Sequence, residues 1–488
     1  QMGRDSAWLA GADLVAVFLA LFGQVVLTRA LWTESYGIYI IALDVFATLF
    51  LVIDLGLPTL LARDGPNAPH RIWPAIVRIY RLQLKAAIPF LLLAIIASPL
   101  IDSNWTSHLP VMSICALIAF THIASYAPRS GLRAAGEARL EAWTKVLERA
   151  ITTAAYLSLY ALGITSVVGY ASAFLFGALS GFLLALWWVK RTVQVYEGEN
   201  GTQGDLGEAW LDNRTLMMQA LPFAITLGVL PYVVRIEKFI IGVEMGVDSA
   251  ALFHVAQLAW LAGLVVPQAL RAALLPVLGK ARFSPSDFGR EMNASLDICL
   301  GLLPIGIFAG AFIAKGFLPF AFPSQYTDGS LGASAVDLFM VLLLGWCFTL
   351  LATPTYTALQ AGHRPWKFTF FIGLVVAFAA LFGYLLISWQ APLGDRQGLY
   401  AAALASTLSA AFALFLSIHL ANSWNFFFNR SKEWFFAIVF MSLACIGLYS
   451  NTWLAGAGVL LFLFIPQALQ AIGSTVAEKT LVKSSQEE

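Results

Sequence analysis

Apolar segments long enough to cross a lipid bilayer recur fourteen times along the 488 residues, and this constrains the fold more than any other feature. In hydrocarbon every backbone N–H and C=O must be satisfied within the protein, so spans are helices or closed barrels. A helix crosses with roughly 20 consecutive apolar residues. The segments lie near 7–31, 38–62, 82–101, 109–127, 146–163, 167–189, 216–243, 250–278, 296–320, 335–361, 368–388, 399–421, 434–449 and 452–472. Composition agrees. The chain is 59% hydrophobic and 12% charged, against about 25% charged in globular domains. The expectation is an all-α polytopic membrane protein with 14 transmembrane helices. Pro222 and Pro231 are expected to bend the seventh.

Lys and Arg set the orientation. With the N-terminus inside, 23 of the 29 basic residues fall in inner connections and at most Arg29, Lys315 and Arg396 in outer ones. That asymmetry predicts cytoplasmic N- and C-termini in a cell (inner, cytoplasmic) membrane and an even number of spans. Met2 is the expected natural start, and no cleavable signal peptide is read before the first span. A net charge of +1 gives no basic field for nucleic acid. Cys115, Cys299, Cys347 and Cys445 all sit in apolar runs and read as small buried hydrophobes. His108, His122, His254, His363 and His419 have no metal-ligand spacing. With no phosphate-binding glycine loop or nucleophile motif either, neither an enzyme, a metal nor a cofactor is expected.

The Gly-rich, acidic stretch Tyr196–Arg214 reads as a flexible linker and divides the spans into two similar sets. The sets resemble each other. Pro128 and Pro354 are 226 apart, as are Gly136 and Gly362. "GYASAFLFGALSGFLLAL" parallels "LYAAALASTLSAAFALFL" at 230, and "YIIALDVFATLFLV" parallels "FHVAQLAWLAGLVV" at 214. Six helices separate the copies, so the repeat is parallel, with its pseudo-two-fold axis along the membrane normal. The expected organisation is an N-lobe at 1–191, a cytoplasmic linker at 192–215, a C-lobe at 216–421, and two extra C-terminal helices within 422–488.

"LTRALWTESYGIYIIALDVFATLFLVIDLGLPTLLARDG" carries Arg29, Glu34–Tyr36–Gly37–Tyr39, Asp54–Leu55–Gly56–Leu57 and Arg63. It resembles the opening of polysaccharide and oligosaccharide-lipid flippases of the multidrug/oligosaccharidyl-lipid/polysaccharide exporter superfamily. "RIEKFIIGVEMGVDSAALFHVAQ" resembles their seventh-to-eighth helix turn, with Ala251 and Phe253 where that family usually has Gly and Tyr. "LRAAGEARL" resembles their fourth-to-fifth connection. The resemblance implies two six-helix lobes opening alternately to each side. It implies a polyprenyl (pyro)phosphate-linked oligosaccharide as cargo, membrane lipids as surroundings, and polysaccharide polymerase machinery as a partner. The two extra helices would either border the polyprenyl tail or stabilise the fold.

Ionisable residues inside spans are costly and mark candidate sites. Arg235 and Lys238 are three apart on one face of the seventh segment, and Glu237 points away. On the resemblance, Arg235 and Lys238 would hold the cargo's diphosphate. The structural alternative for Arg235 is a salt bridge to Glu237, Asp13 or Asp44. Arg63 and Arg271 lie near inner helix ends, as cargo ligands or as snorkelling side chains. Asp13, Asp44, Asp54 and Glu237 are candidates for ion coupling or gating, or for local caps and interhelical pairs. The energy source is open between the membrane potential acting on an anionic cargo and H+ or Na+ coupling through Asp44. Two rivals stand beside the flippase. A cation-coupled multidrug antiporter would want an acidic cavity, and a membrane sugar polymerase or glycosyltransferase would want a large outer loop.

Overall fold

A computed structural model describes residues 2–429 apart from 50, 102–104, 200–204, 231 and 363–364, together with Val439, Leu443 and Gly447. Apart from those three residues, the expected thirteenth span lies outside the described residues. So do the fourteenth span, Pro231, His363 and Cys445. Every regular element among the described residues is helical. Among the described residues eight helices are long and apolar enough to cross a membrane, or nine if Asn213–Val229 and Tyr232–Glu244 form one span. The chain forms two compact units, Gln1–Arg235 and Ile236–Glu488.

The first unit holds α1 (Met2–Ala30), α2 (Thr33–Leu49), α3 (Leu51–Asp54), α4 (Leu57–Asp64), α5 (Ile72–Ile101), α6 (Trp105–Ala134), α7 (Ala138–Ala161), α8 (Val167–Glu199) and α9 (Asn213–Val229). The second expected span is therefore broken. Leu55 and Gly56 both take left-handed backbone, at φ 56° and 67°. Such a conformation at leucine costs about 1–3 kcal/mol and persists only where the surroundings enforce it. Here α9 packs directly against the break. A Cβ at Gly56 would lie 2.6 Å from Ala224 N and 2.7 Å from Ala220 O. The break also frees the Asp54 carbonyl, which accepts from Gln83 Nε2 at 3.3 Å.

Helices α6 and α7 form a hairpin. Glu137 N–H bonds Leu132 O and Gly136 N–H bonds Arg133 O, with Gly136 at φ 80°. This is the glycine-terminated helix end that Schellman pairing requires. Both helices outrun the apolar segments at 109–127 and 146–163, so polar turns continue as helix. On the far side of α7, Gly177 and Gly181 of α8 leave room for it. A Cβ at Gly181 would approach Glu148 Cβ to 2.8 Å.

The linker departs from the flexible expectation where it is described. Ala209 and Trp210 are buried in a cluster with Leu57, Leu61, Ile72 and Ile76. Trp210 Nε1 donates to Asp64 Oδ2 at 3.0 Å. Arg78 binds Trp210 O at 2.5 Å and Asn213 Oδ1 at 2.7 Å. One aromatic anchor and one arginine fork order a stretch whose composition alone favours disorder. Asp212 then caps α9 by accepting from Thr215 N at 2.8 Å.

Helix α10 (Tyr232–Glu244) carries the boundary between units, later in the chain than the expected linker. The second unit continues with α11 (Val247–Gly263), α12 (Val265–Ala281), α13 (Pro285–Phe312), α14 (Leu318–Ala321), α15 (Ala335–Gln360), α16 (Pro365–Gln390), α17 (Asp395–Leu420) and α18 (Trp424–Phe428). Its core sits around α15. Trp346 fills the space beside Gly306 of α13 and donates Nε1–H to Gly263 O at 2.8 Å.

Candidate functional site

A cavity of about 520 Å³ opens in the first unit. Its wall takes Arg129 and Arg133 from α6, Lys145 and Arg149 from α7, and Arg235 from α10. Asp54, Glu141 and His122 are the other ionisable groups besides Tyr126 on that wall. Five permanent cations therefore face the space against two carboxylates. The helical repeat explains the clustering. Positions 122, 126, 129 and 133 are three or four apart and share one face of α6, as do 141, 145 and 149 on α7. The tight turn at Gly136 sets the two basic stripes side by side.

Counter-charges stand behind or between the cations. Arg133 grips Glu141 with Nε at 2.8 Å and also with its terminal nitrogen. Lys145 binds Asp13 at 2.9 Å and reaches Glu141 at 3.6 Å. Arg235 Nε lies 3.2 Å from Asp44 Oδ1, and its NH1 donates to Thr48 Oγ1 at 2.7 Å. Glu148 is only 4% exposed and receives Arg129 NH2 at 2.6 Å and His122 Nε2 at 3.0 Å. Arg149 stacks over the Phe174 ring at 5.2 Å, and His122 meets that ring edge-on at 5.4 Å.

This layering has a chemical use. Isolated cations in a low-dielectric cavity would cost several kcal/mol each, and carboxylates behind them offset that cost while the cavity is empty. The cations still present N–H donors inward. Arg129 Nε–H is buried and has no acceptor among the described residues. A multiply charged anion offers acceptors for several forks at once, as planar guanidinium groups favour.

The residues singled out from sequence are distributed unevenly. Arg235 and Asp54 line the cavity, and Arg235 is paired to Asp44, as the structural alternative expected, while also facing the open space. Asp13 holds Lys145. Arg63 is half-exposed at the end of α4, bound to Asp64 at 2.6 Å and Gln219 at 3.2 Å. Lys238 and Glu237 are buried in the second unit, Lys238 with Nζ 2.8 Å from His254 Nδ1. Arg271 binds Tyr356 OH at 3.0 Å. Arg129, Arg133, Lys145, Arg149, His122 and Glu148 were not anticipated as site residues. The basic ones read as topology signals, while Glu148 inside the fifth apolar segment was a legible marker.

Known structures share the fold. The inward-facing and outward-facing conformations of a multidrug resistance MATE family transporter of the MOP superfamily both superpose with TM-score 0.57. They are 16% and 15% identical, covering 84% and 86% of this chain and 95% and 96% of theirs. A MOP superfamily transporter from Pyrococcus furiosus, described as having a binding pocket of reverse polarity, superposes with TM-score 0.57. It is 15% identical over 86% of this chain and 95% of its own. No curated protein matches the sequence significantly. The model of the family described as "Polysaccharide biosynthesis protein" matches residues 2–282. That match covers more than half of the chain, and with the helical membrane architecture and the transporter fold it fixes the affiliation: the chain belongs to the polysaccharide biosynthesis protein family.

Proposed function

We propose that the protein is a flippase that moves a polyprenyl-(pyro)phosphate-linked oligosaccharide from the cytoplasmic to the outer leaflet by alternating access, for cell-surface polysaccharide synthesis. The observation that carries this reading is the wall of the first-unit cavity, with five cations against two carboxylates. A diphosphate is the part of such a cargo that needs cations, and the sugar needs a wet polar space. The same wall argues against a drug antiporter for organic cations, which would be repelled there. In this reading the chain has fourteen spans in two six-helix lobes related by a parallel repeat. It lies in the cytoplasmic membrane with both termini inside and works beside polymerase machinery. Arg235, Arg129 and Arg149 hold the diphosphate, and Lys238, Arg63 and Arg271 are the further candidate ligands of the cargo. Outward movement of an anion is favoured by an inside-negative potential, by about 2.3 kcal/mol per charge per 100 mV.

The test is reconstitution in phosphatidylethanolamine–phosphatidylglycerol vesicles with a fluorescent polyprenyl-diphosphate disaccharide, read by quenching from one side. The wild type is expected to move the probe between leaflets. Arg235→Gln removes a charge-assisted bond of about 1.5–3 kcal/mol, a roughly 10- to 150-fold loss of rate. Movement of the probe at wild-type rate by Arg235→Gln, Arg129→Gln and Arg149→Gln alike would sink the proposal.

A further inference from the structure

One acidic group on the cavity wall has no role in holding an anion and no side-chain partner among the described residues, its carboxyl being bonded by the backbone of Gly56. Asp54 is 1% exposed, yet it lines the cavity, and its Oδ1 is buried and accepts no hydrogen bond among the described residues. It ends α3, at the break where α9 packs against Gly56. Its carbonyl accepts from Gln83 Nε2 of α5 at 3.3 Å. The charged and titratable groups that share its cavity are His122, Tyr126, Arg129 and Arg133 of α6, Glu141, Lys145 and Arg149 of α7, and Arg235 of α10. Among the described residues none of these forms an ion pair or side-chain hydrogen bond with Asp54: Arg129 and His122 are held by Glu148, Arg133 by Glu141, Lys145 by Asp13, and Arg235 by Asp44 and Thr48. From α9, Ala220, Phe223 and Ala224 pack against Gly56 at the break.

An ionised carboxylate with a buried, unsatisfied oxygen costs several kcal/mol in such a place. Neutralisation removes that cost, and the candidates are a metal cation or a proton. Five fixed cations on the same wall repel a sixth, whereas a proton cancels the charge without adding one. An anion entering the cavity would also be repelled by ionised Asp54 and not by the neutral acid.

We propose that Asp54 is a proton-exchange site of the cavity, and that binding of an anionic cargo drives it into the protonated form. The step is a transfer of H+ from bulk water to an Asp54 carboxylate oxygen, forming one O–H bond as the anion binds. By linkage, proton uptake and anion affinity are reciprocal. Affinity for the anion rises as pH falls through the Asp54 titration, and becomes independent of it once Asp54 is replaced by a neutral group.

The inference rests on the diphosphate reading, and two measurements separate their failures. First, infrared spectra of the wild type in nanodiscs, without any ligand, are recorded across pH. A carboxylic-acid C=O band is expected that titrates, is absent from Asp54→Asn, and shifts on 13C-labelling of aspartate in the wild type. The labelling assigns it even if the variant folds poorly. No such aspartate band at any pH where the protein stays folded overturns the inference and leaves the diphosphate reading intact. Second, calorimetry with geranyl diphosphate is run in buffers of different ionisation enthalpy, at the pH where the band is half-lost. The wild type should take up about half a proton more than Asp54→Asn. Binding with equal proton uptake in both overturns the linkage. Absence of any binding by the wild type overturns the diphosphate reading, and the linkage with it.

Discussion

Glutamine at Glu148 tests the layered charge of the cavity most directly. The carboxylate is 4% exposed and joins Arg129 at 2.6 Å and His122 at 3.0 Å. Glutamine keeps the shape, so the space made by Gly177 and Gly181 is untouched and only the charge is lost. Removing one member of a buried ion pair costs about 3–5 kcal/mol, because the partner is left buried and uncompensated. For a unit of this length, about 2–4 °C in Tm accompanies each kcal/mol, so the expected drop is roughly 6–20 °C. The assay is thermal unfolding in one detergent at one lipid ratio, for Glu148→Gln, Arg129→Gln and the double variant. Contacting charges should be non-additive, with the double variant less damaged than the sum by about 0.5–3 kcal/mol. Asp205→Asn is the control. Its pair with Arg71 is half-exposed on both sides, and such pairs contribute about 0–1 kcal/mol. A shift below about 2 °C for Glu148→Gln, or strict additivity with Arg129→Gln, would refute the claim that Glu148 is the buried counter-charge of the cavity.

Two further outcomes follow from local geometry. Gly56→Ala would place a methyl 2.6 Å from Ala224 N in left-handed backbone, so α9 must retreat. The expected result is a loss of folded protein larger than for Gly136→Ala, which has φ 80° but open space around it, measured by fluorescence-detected chromatography after heating. Asp212→Ala should fray the start of α9. Hydrogen bonds from Thr215 hold the Asp212 carboxyl below its ordinary pKa. Its contribution is therefore present at neutral pH and lost as pH falls through that lowered value. Faster amide exchange at residues 213–216 in the variant at pH 7, converging with the wild type in acid, is the expected signature.

Much of this was legible in the sequence, for reasons that particular residues make plain. Apolar segments such as 335–361 and 399–421 became α15 and α17 nearly to the residue, because length and hydropathy alone decide a span. Arg235 stood out because a cation deep in an apolar run must have a partner, and Asp44 was among those named for it. Arg129, Arg133, Lys145 and Arg149 were read only as inner-connection charges. The segment edges at 127 and 146 were set by hydropathy, whereas the helices run on to Ala134 and start at Ala138. Helical hydrogen bonding continues past the last apolar residue, and the extra turns carry the basic stripes into the cavity wall. Trp210 was lost inside a polar stretch for the opposite reason. One tryptophan among glycines and acids barely changes the composition, but its indole found Asp64 and the Ile72–Ile76 cluster. The break at Leu55–Gly56 had a local signal, since Asp and Gly suit a helix irregularity, but the close approach of α9 to Gly56 is a long-range contact that local sequence does not encode.

The charged stripe of α7 also bears on how the chain enters the membrane during synthesis. Helix α7 carries Glu141, Lys145, Glu148 and Arg149 and is not among the eight helices apolar enough to cross by composition. At the centre of an inserting helix each charge of this kind costs about 2.5–3.5 kcal/mol, and each large apolar residue returns only about 0.3–0.6 kcal/mol. Helix α7 therefore does not partition into lipid alone as it leaves the ribosome. Its acids are matched by Arg129, Arg133 and His122 of α6, which is made just before it. The expected unit of insertion is therefore the α6–α7 hairpin rather than α7 alone.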